Sequence, residues 1–313
     1  MVSLLYFGWT RQQFRVNNVA VHNKCRMPRS GLQSFERRAN AGLNKGSHEV
    51  MNILDLTGKT ALVTGAGQGV GKQAALHLAA YGAKVVVNDY FRERAQQVAD
   101  EINGARRTND AAVACTADVS DLSSIRAMAD EAKSRVGAIH ILVNNAGNAG
   151  PTGAGVSGKP FWEQEPAEWN TWMGVNFYGV LNTCRVFLPD MIASGAGSII
   201  NVISDAGRVG EANMEIYSGA KAGAAGFTRA LARSIGRFNV RANCVAISAT
   251  RTPATEKFLA NDEFAKRALS RYVLRRFGEP SDVANMIVFL ASEAAAWITG
   301  QTYPVNGGFD MAM

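Results

Sequence analysis

Cysteine is scarce in this sequence. Four occur among 313 residues, Cys25, Cys115, Cys184 and Cys244, separated by 60 to 90 positions and never paired as CxxC. That spacing supplies neither a zinc site nor a disulfide framework; it suits reduced thiols packed as small hydrophobes. A long apolar run is missing too. The best stretch, residues 283–298, is broken by Asn285, Ser292 and Glu293, short of the roughly 20 apolar residues a membrane span needs. After residue 50 the only histidines are His77, in a helical pattern, and His140, in a strand pattern. A histidine-based triad and a metal site are therefore not expected.

Basic charge is abundant only at one end. The net charge is +7, yet residues 1–50 hold eight of the 33 Lys and Arg and two of the 26 Asp and Glu. The remainder is close to neutral, without a basic patch interleaved with aromatics, so nucleic acid is not an expected partner. The basic segment does not read as a secretory signal, because the apolar run 4–9 precedes Arg11 instead of following it. Residues 1–50 are read as a disordered extension, or as sequence upstream of a natural start at Met51, with one domain over 51–313. That reading makes the protein cytoplasmic. An Arg-rich, acid-poor segment leaves a mitochondrial transit peptide as the alternative.

From Leu56 onward, short β-branched runs alternate with longer helical patterns. Strands are predicted over residues 60–64, 84–88, 112–116, 139–144, 198–203, 240–246 and 301–305. Helices are predicted over 68–81, 92–103, 122–136, 167–193, 217–237 and 281–291. Alternation at these lengths implies βαβ units. The fold class is α/β, a single Rossmann-type doubly wound parallel sheet of about seven strands with helices on both faces. Ligands on such sheets bind at the carboxyl ends of the strands. The small-residue stretch 148–159 reads as a surface loop beside that edge.

The first strand runs into Gly65-Ala66-Gly67-Gln68-Gly69-Val70-Gly71, and a helix pattern follows. Glycines there let the backbone turn tightly and approach a pyrophosphate seated on the helix N-terminus. Asp89 ends the second strand, 18 residues beyond Gly71, near the spacing at which a carboxylate grips the adenosine ribose hydroxyls. After the third strand, Asp118 with Val119 is placed either to bond the adenine or to cap the next helix. NAD is the expected cofactor, ahead of NADP, because a 2′-phosphate would face Asp89.

The glycine pattern, the run Asn144-Asn145-Ala146-Gly147 and Tyr217-x3-Lys221 together resemble the short-chain dehydrogenases/reductases. The likeness runs from about Leu54 to the C-terminus. Residues 298–308 resemble the 3-oxoacyl thioester reductases of that family, and residues 204–210 its alicyclic hydroxyacyl-CoA dehydrogenases. Tyr217 and Lys221 share one helical face. A neighbouring ammonium, aided by the positive nicotinamide, is expected to draw the phenol, near 10 in isolation, toward a working range. Ser204 closes the fifth strand, where its hydroxyl can polarise a substrate oxygen. The resemblance implies that Lys221 also holds the nicotinamide ribose, that Asn176 supports a water relay, and that Asn145, Ala146 and Gly147 lie along the cofactor. It likewise implies cofactor contacts for Thr250 and Thr252. One departure stands out: Ile247-Ser248 occupies the place of the family's usual Pro-Gly, which puts the path of that loop in question.

The expected function is NAD(P)-dependent interconversion of a secondary alcohol and a ketone, on a hydroxyacyl or oxoacyl thioester or a cyclic alcohol. An NADP-dependent 3-oxoacyl thioester reductase and a non-catalytic dinucleotide sensor are the alternatives. Substrate walls are expected at residues 150–162 and 253–276. The latter carries Phe258, Phe264, Tyr272 and Val273 amid Arg271, Arg275 and Arg276, cations suited to a phosphorylated carrier. Analogy with the family implies a homotetramer or homodimer formed through the helices over 167–193 and 217–237.

Overall fold

The computed structural model describes residues 52–147 and 159–311. The extension 1–50 and nearly all of the loop 148–159 lie outside the described residues, as do the side chains of Phe258 and Phe264. Seven strands form one sheet in the order β3-β2-β1-β4-β5-β6-β7. They are β1 (Thr60–Val63), β2 (Lys84–Asp89), β3 (Ala112–Thr116), β4 (Ile141–Asn144), β5 (Gly197–Ser204), β6 (Val240–Ile247) and β7 (Thr302–Val305). Every pairing is parallel. The order reverses between β1 and β4, so the carboxyl ends of both open onto the switch point.

Successive strand residues serve opposite faces. Val63 packs in one core with Val87 and Val143, while its neighbour Leu62 packs in the other with Val86 and Leu142. Burial on both faces is why these strands read as continuous apolar runs. The first face is covered by α1 (Gly69–Ala80), α2 (Arg92–Arg106) and α10 (Pro280–Ala291). The second is covered by α3 (Leu122–Val136), α5 (Gly179–Ser194) and α7 (Glu215–Ile235). Local chemistry sets several ends. Asp121, and not Asp118, caps α3 by accepting from the Ser123 N–H. Gly195 ends α5 at φ 65°, a left-handed turn that glycine adopts without strain.

The single helix predicted over 167–193 is instead two. The α4 helix (Pro166–Met173) passes into a π-helical turn, Gly174–Tyr178, before α5 begins. A π turn admits one more residue than an α turn. The helical periodicity of the sequence carries no sign of that insertion, which places Asn176 fully inside. Between β6 and α10 lie two short helices, α8 (Glu256–Leu259) and α9 (Asp262–Leu269), and a one-turn helix, α6 (Ala206–Val209), follows β5. No helix among the described residues is long and apolar enough to cross a membrane.

Candidate functional site

The turn after β1 is built by close backbone approach. Gly65 adopts φ +60°, and a Cβ there would lie 2.9 Å from the Ala146 Cα. A Cβ on Gly71 would lie 2.2 Å from the Gly65 carbonyl oxygen, so α1 sits directly on the turn. Gln68 occupies the N-cap of α1 without a side-chain cap, and the first turn holds no acidic residue. The helix therefore presents open N–H donors with no competing carboxylate, as an anionic pyrophosphate requires. Val70, in the first turn, is buried. The Asn145 side chain serves the turn from below: its Nδ2 donates to the carbonyls of Thr64 (3.0 Å) and Gly65 (3.1 Å). The Thr64 hydroxyl in turn accepts from the N–H groups of Asn145 and Ala146 at 3.1 and 3.0 Å.

Asp89 is 7% exposed at the end of β2. One carboxylate oxygen accepts from the Gly67 N–H and the other from the Phe91 N–H, each at 3.0 Å. The acid is thus fixed beside the glycine turn before any ligand arrives. Asp118 accepts through one oxygen from the N–H and hydroxyl of Ser120, at 2.8 and 2.7 Å, and Val119 beside it is buried. These features fit a dinucleotide. The open helix end matches the pyrophosphate, and the tethered carboxylate matches the adenosine ribose.

The loop after β6 keeps a defined course without Pro-Gly. The Ala249 N–H donates to the Tyr272 hydroxyl at 3.0 Å, and Thr250 pairs with Gly278 in a parallel bridge. Thr250 is buried. The Thr255 hydroxyl donates to the Thr250 carbonyl at 2.6 Å and accepts from the Thr252 N–H at 3.0 Å. Distant partners thus do what a rigid residue does elsewhere. The loop brings the Thr252 methyl to 3.1 Å from the Cβ position of Gly69, so the sixth strand end and the glycine turn meet.

Tyr217 and Lys221 lie on α7 against Ser204 at the end of β5. Lys221 is buried and donates from Nζ to the Val202 carbonyl at 3.0 Å. Its Nζ stands 5.8 Å from the Tyr217 ring centroid. A Cβ on Gly147 would meet Asn176 Oδ1 at 3.2 Å and Lys221 Nζ at 3.3 Å, so both polar groups converge on the backbone of Gly147. Asn176 Nδ2 donates to the Trp172 carbonyl at 2.9 Å. The Trp172 indole meets the Tyr217 ring edge-on, with centroids 5.4 Å apart.

Burial dominates the ionisation of this pair. It pushes the Lys221 amine down to about 8 and the Tyr217 phenol up, while a hydrogen bond with Ser204 pulls the phenol part of the way back. In the chain by itself, burial outweighs the neighbouring ammonium at Tyr217. The cause is desolvation, which disfavours both charged forms. His140, read as structural, accepts from the Thr60 N–H at 3.0 Å through Nδ1, and burial lowers its pKa, so the ring is held neutral.

In the segment 253–276, Tyr272 and three arginines are turned to the fold. Tyr272 is 3% exposed and packs with Phe277 and Phe309 in a small core of its own. Three of the segment's four arginines are committed to the fold. Arg271 stacks over Phe309 at 4.2 Å, and Arg275 donates to the Leu269 and Ser270 carbonyls at 3.3 and 2.7 Å. Arg276 makes a bidentate pair with Asp282 at 2.6 and 2.9 Å. A cavity of about 690 Å³ between α10 and β7 is lined by Val273 but by none of the four residues at the β5 end. Sequence reasoning missed Trp172 beside Tyr217. Its i, i+4 spacing to Asn176 was visible, but its contact with another helix was not.

A sequence model of the family described as enoyl-(acyl carrier protein) reductase matches residues 65–310. The chain is 36% identical to the 7alpha-hydroxysteroid dehydrogenase of Escherichia coli K12 over 255 residues, covering 82% of this chain and 95% of the relative. It is equally, 36%, identical to a 3-oxoacyl-[acyl-carrier-protein] reductase of Staphylococcus aureus over 254 residues, 81% of this chain and 98% of the relative. Among solved structures, a 7α-hydroxysteroid dehydrogenase complexed with NADH and 7-oxo glycochenodeoxycholic acid shares 36% identity at a TM-score of 0.75, covering 82% of this chain and 96% of its own. A Burkholderia cenocepacia gluconate 5-dehydrogenase in complex with NADP and tartrate shares 32% at a TM-score of 0.76, with coverages of 83% and 98%.

Proposed function

The chain belongs to the short-chain dehydrogenase/reductase family, and from that premise we propose the residues, cofactor and substrate class of its reaction. The protein is an NAD(P)-dependent oxidoreductase that interconverts a secondary alcohol and a ketone. A bound nicotinamide supplies or receives the hydride. The chain's own residues manage the proton and the oxygen that carries it. Ser204 donates a hydrogen bond to the substrate oxygen. Tyr217, protonated at neutral pH because it is buried, gives its proton to that oxygen in reduction and takes it back in oxidation. Lys221 supplies a positive charge beneath the phenol. Asn176 links Lys221 toward solvent. The observation that carries this reading is the convergence of all four residues, drawn from β5, α7 and the π turn, at one strand end beside Gly147.

Trp172 standing against Tyr217 gives the reacting centre an aromatic wall, which suits an apolar, cyclic secondary alcohol. The steroid-handling relative supports that choice. With Arg271, Arg275 and Arg276 engaged elsewhere, the segment 253–276 keeps one of its four arginines, the exposed Arg267, for a phosphorylated carrier, which weakens that reading. The 3-oxoacyl thioester reading retains support from the equally similar S. aureus reductase. Turnover of free cyclic alcohols compared with coenzyme A thioesters, followed by absorbance of the reduced nicotinamide, separates them. Higher kcat/KM on thioesters would reverse the choice.

The proposal extends to the setting of the enzyme: a cytoplasmic homotetramer or homodimer joined through α4, α5 and α7, with residues 1–50 as an extension. A chain beginning at Met51 should fold and retain full activity. Loss of soluble expression or a large fall in Tm on truncation would show that the extension packs.

Lys221 carries a distinct stability signature. At pH 7 both the folded and the unfolded chain hold its proton, so the whole cost of burying an ammonium is present. Between about 8, its folded value, and 10.5, its ordinary one, only the unfolded chain binds the proton. Stability therefore rises with pH across that window. A depression of this size corresponds to about 3 kcal/mol of net preference for the neutral amine in the fold. Lys221→Met should abolish turnover yet leave Tm at pH 7 equal to or above that of the wild type, with the difference shrinking by pH 10. A Tm several degrees lower at pH 7 would show that the amine stabilises the fold.

A further inference from the structure

The residue after Ser204 is Asp205, whose side chain is 2% exposed. Both of its oxygens are taken. Oδ1 accepts from Arg208 Nη1 at 2.6 Å, and Oδ2 accepts from Asn306 Nδ2 at 2.8 Å, across 101 residues of sequence. Asn306 is 8% exposed, and the same Nδ2 donates to the Asp310 carbonyl at 2.9 Å. The Asp310 carboxylate stands 3.4 Å from Arg208 Nη1. Two acids, one arginine and one amide thus tie the end of β5 and the one-turn helix α6 to the segment after β7. Burying charge in this way is weak support for stability, because a well-packed apolar substitute is often as stable. Its place beside Ser204 points to a positional role.

The local geometry carries that role to the reacting groups. The Ser204 oxygen accepts from the Ala206 N–H at 3.1 Å, so the first residue of α6 occupies one side of the hydroxyl. A hydroxyl has one donor and two acceptor sites, and where α6 sits decides which way the remainder points. Gly207 sets the other boundary. A Cβ there would lie 2.8 Å from both Lys221 Cβ and the Ala222 nitrogen. α6 is therefore wedged between the helix that carries Tyr217 and Lys221 and the charged cluster behind it.

We propose that Asp205, Arg208, Asn306 and Asp310 form a clamp through which the segment after β7 positions the Ser204 hydroxyl against Tyr217. They are positioning residues and touch no reacting atom. The clamp rests on the reading of Ser204 and Tyr217 as the reacting pair. Tyr217→Phe separates the two ideas: retained turnover there overturns the pair, and with it the clamp, whereas its loss leaves the clamp to be judged on its own variants.

The test is a reciprocal exchange across the 205–306 hydrogen bond. Asn306→Asp sets two carboxylates face to face, and Asp205→Asn takes from Arg208 the nearer of its two carboxylate partners. Each should lower kcat by about tenfold or more and raise the primary isotope effect with deuterated alcohol, as slowing of the chemical step demands. NADH affinity by fluorescence titration should stay within about threefold. The double variant Asp205→Asn/Asn306→Asp lets residue 205 donate and residue 306 accept. It relieves the clash of carboxylates but restores neither the charge facing Arg208 nor the donor to the Asp310 carbonyl, so kcat should rise above that of the worse single and stay below the wild type. Asp310→Asn, at the rim, covers the case in which the buried variants do not fold. It should lower kcat by about threefold at unchanged Tm. The proposal is overturned by singles at wild-type kcat, by an exchange no better than its worse single, or by losses that follow NADH affinity. If only Asp310→Asn folds, wild-type kcat in that variant overturns it.

Discussion

Tyr217→Phe is expected to lower turnover by about 10²-fold or more, the scale on which a positioned acid–base group acts, while NADH affinity stays within about twofold. The ring remains, so the edge-on contact with Trp172 and the packing of α7 survive. Only the hydroxyl goes, and with it the hydrogen bond to Ser204 and the proton that the substrate oxygen exchanges. The raised phenol gives the reaction a direction-dependent pH profile. Reduction uses the protonated form and should run on a plateau through neutral pH, failing only as the phenol ionises. Oxidation uses the phenolate and should climb as pH rises. In Tyr217→Phe both limbs should vanish together. A variant that kept a tenth of wild-type turnover, or kept the alkaline rise in oxidation, would remove Tyr217 from the reaction.

What the sequence disclosed follows from which signals are local. The seven strands announced themselves because a parallel sheet covered on both faces calls for continuous apolar runs, as in Ala61–Val63 and Val85–Val87 within β1 and β2. The glycine turn, Asp89 and the Tyr217–Lys221 spacing are likewise contained within short windows. The π turn was hidden, since no residue type marks where one extra residue enters a helix, and Asn176 is buried within it. Arg271, Arg275 and Arg276 looked like a cationic surface because their partners, Phe309, the Leu269 and Ser270 carbonyls, and Asp282, are set by chain folding. The replacement of Pro-Gly by Ile247-Ser248 seemed to loosen a loop. Tyr272 and Gly278 hold it from outside that window. Burial was the other blind spot. Adjacency of Lys221 to Tyr217 is local, whereas the burial that raises the phenol in the chain by itself is set by the fold.

Asp89→Ala should be the variant that changes cofactor choice. In the wild type, the carboxylate is held by the Gly67 and Phe91 N–H groups and cannot swing away from an arriving nucleotide. A Cβ on Gly67 would lie 2.6 Å from its Oδ2, which measures how closely the acid overhangs the turn. The adenosine ribose of NAD offers hydroxyl donors to such a carboxylate. NADP instead brings a 2′-phosphate, and like charges at that range cost several kcal/mol, on the order of 10²-fold in kcat/KM or more. The countervailing group is Arg94. It is exposed on the first turn of α2, its guanidinium lies 4.5 Å over the Phe91 ring, and its Cβ is 2.5 Å from the Cβ position of Gly67. With Asp89 in place, the phosphate meets the fixed anion first, so the wild type should favour NAD. With Asp89 removed, Arg94 faces an unopposed phosphate, and the preference should fall by about tenfold or more. Adding Arg94→Ala should then cost NADP more than NAD. Solved relatives with NADH and with NADP both share this fold, so the fold by itself does not choose between the two. The ratio of kcat/KM for the two cofactors, measured in wild type, Asp89→Ala and Asp89→Ala/Arg94→Ala, decides the matter. A wild type that prefers NADP, or a ratio that ignores Asp89, would assign the selection to another residue.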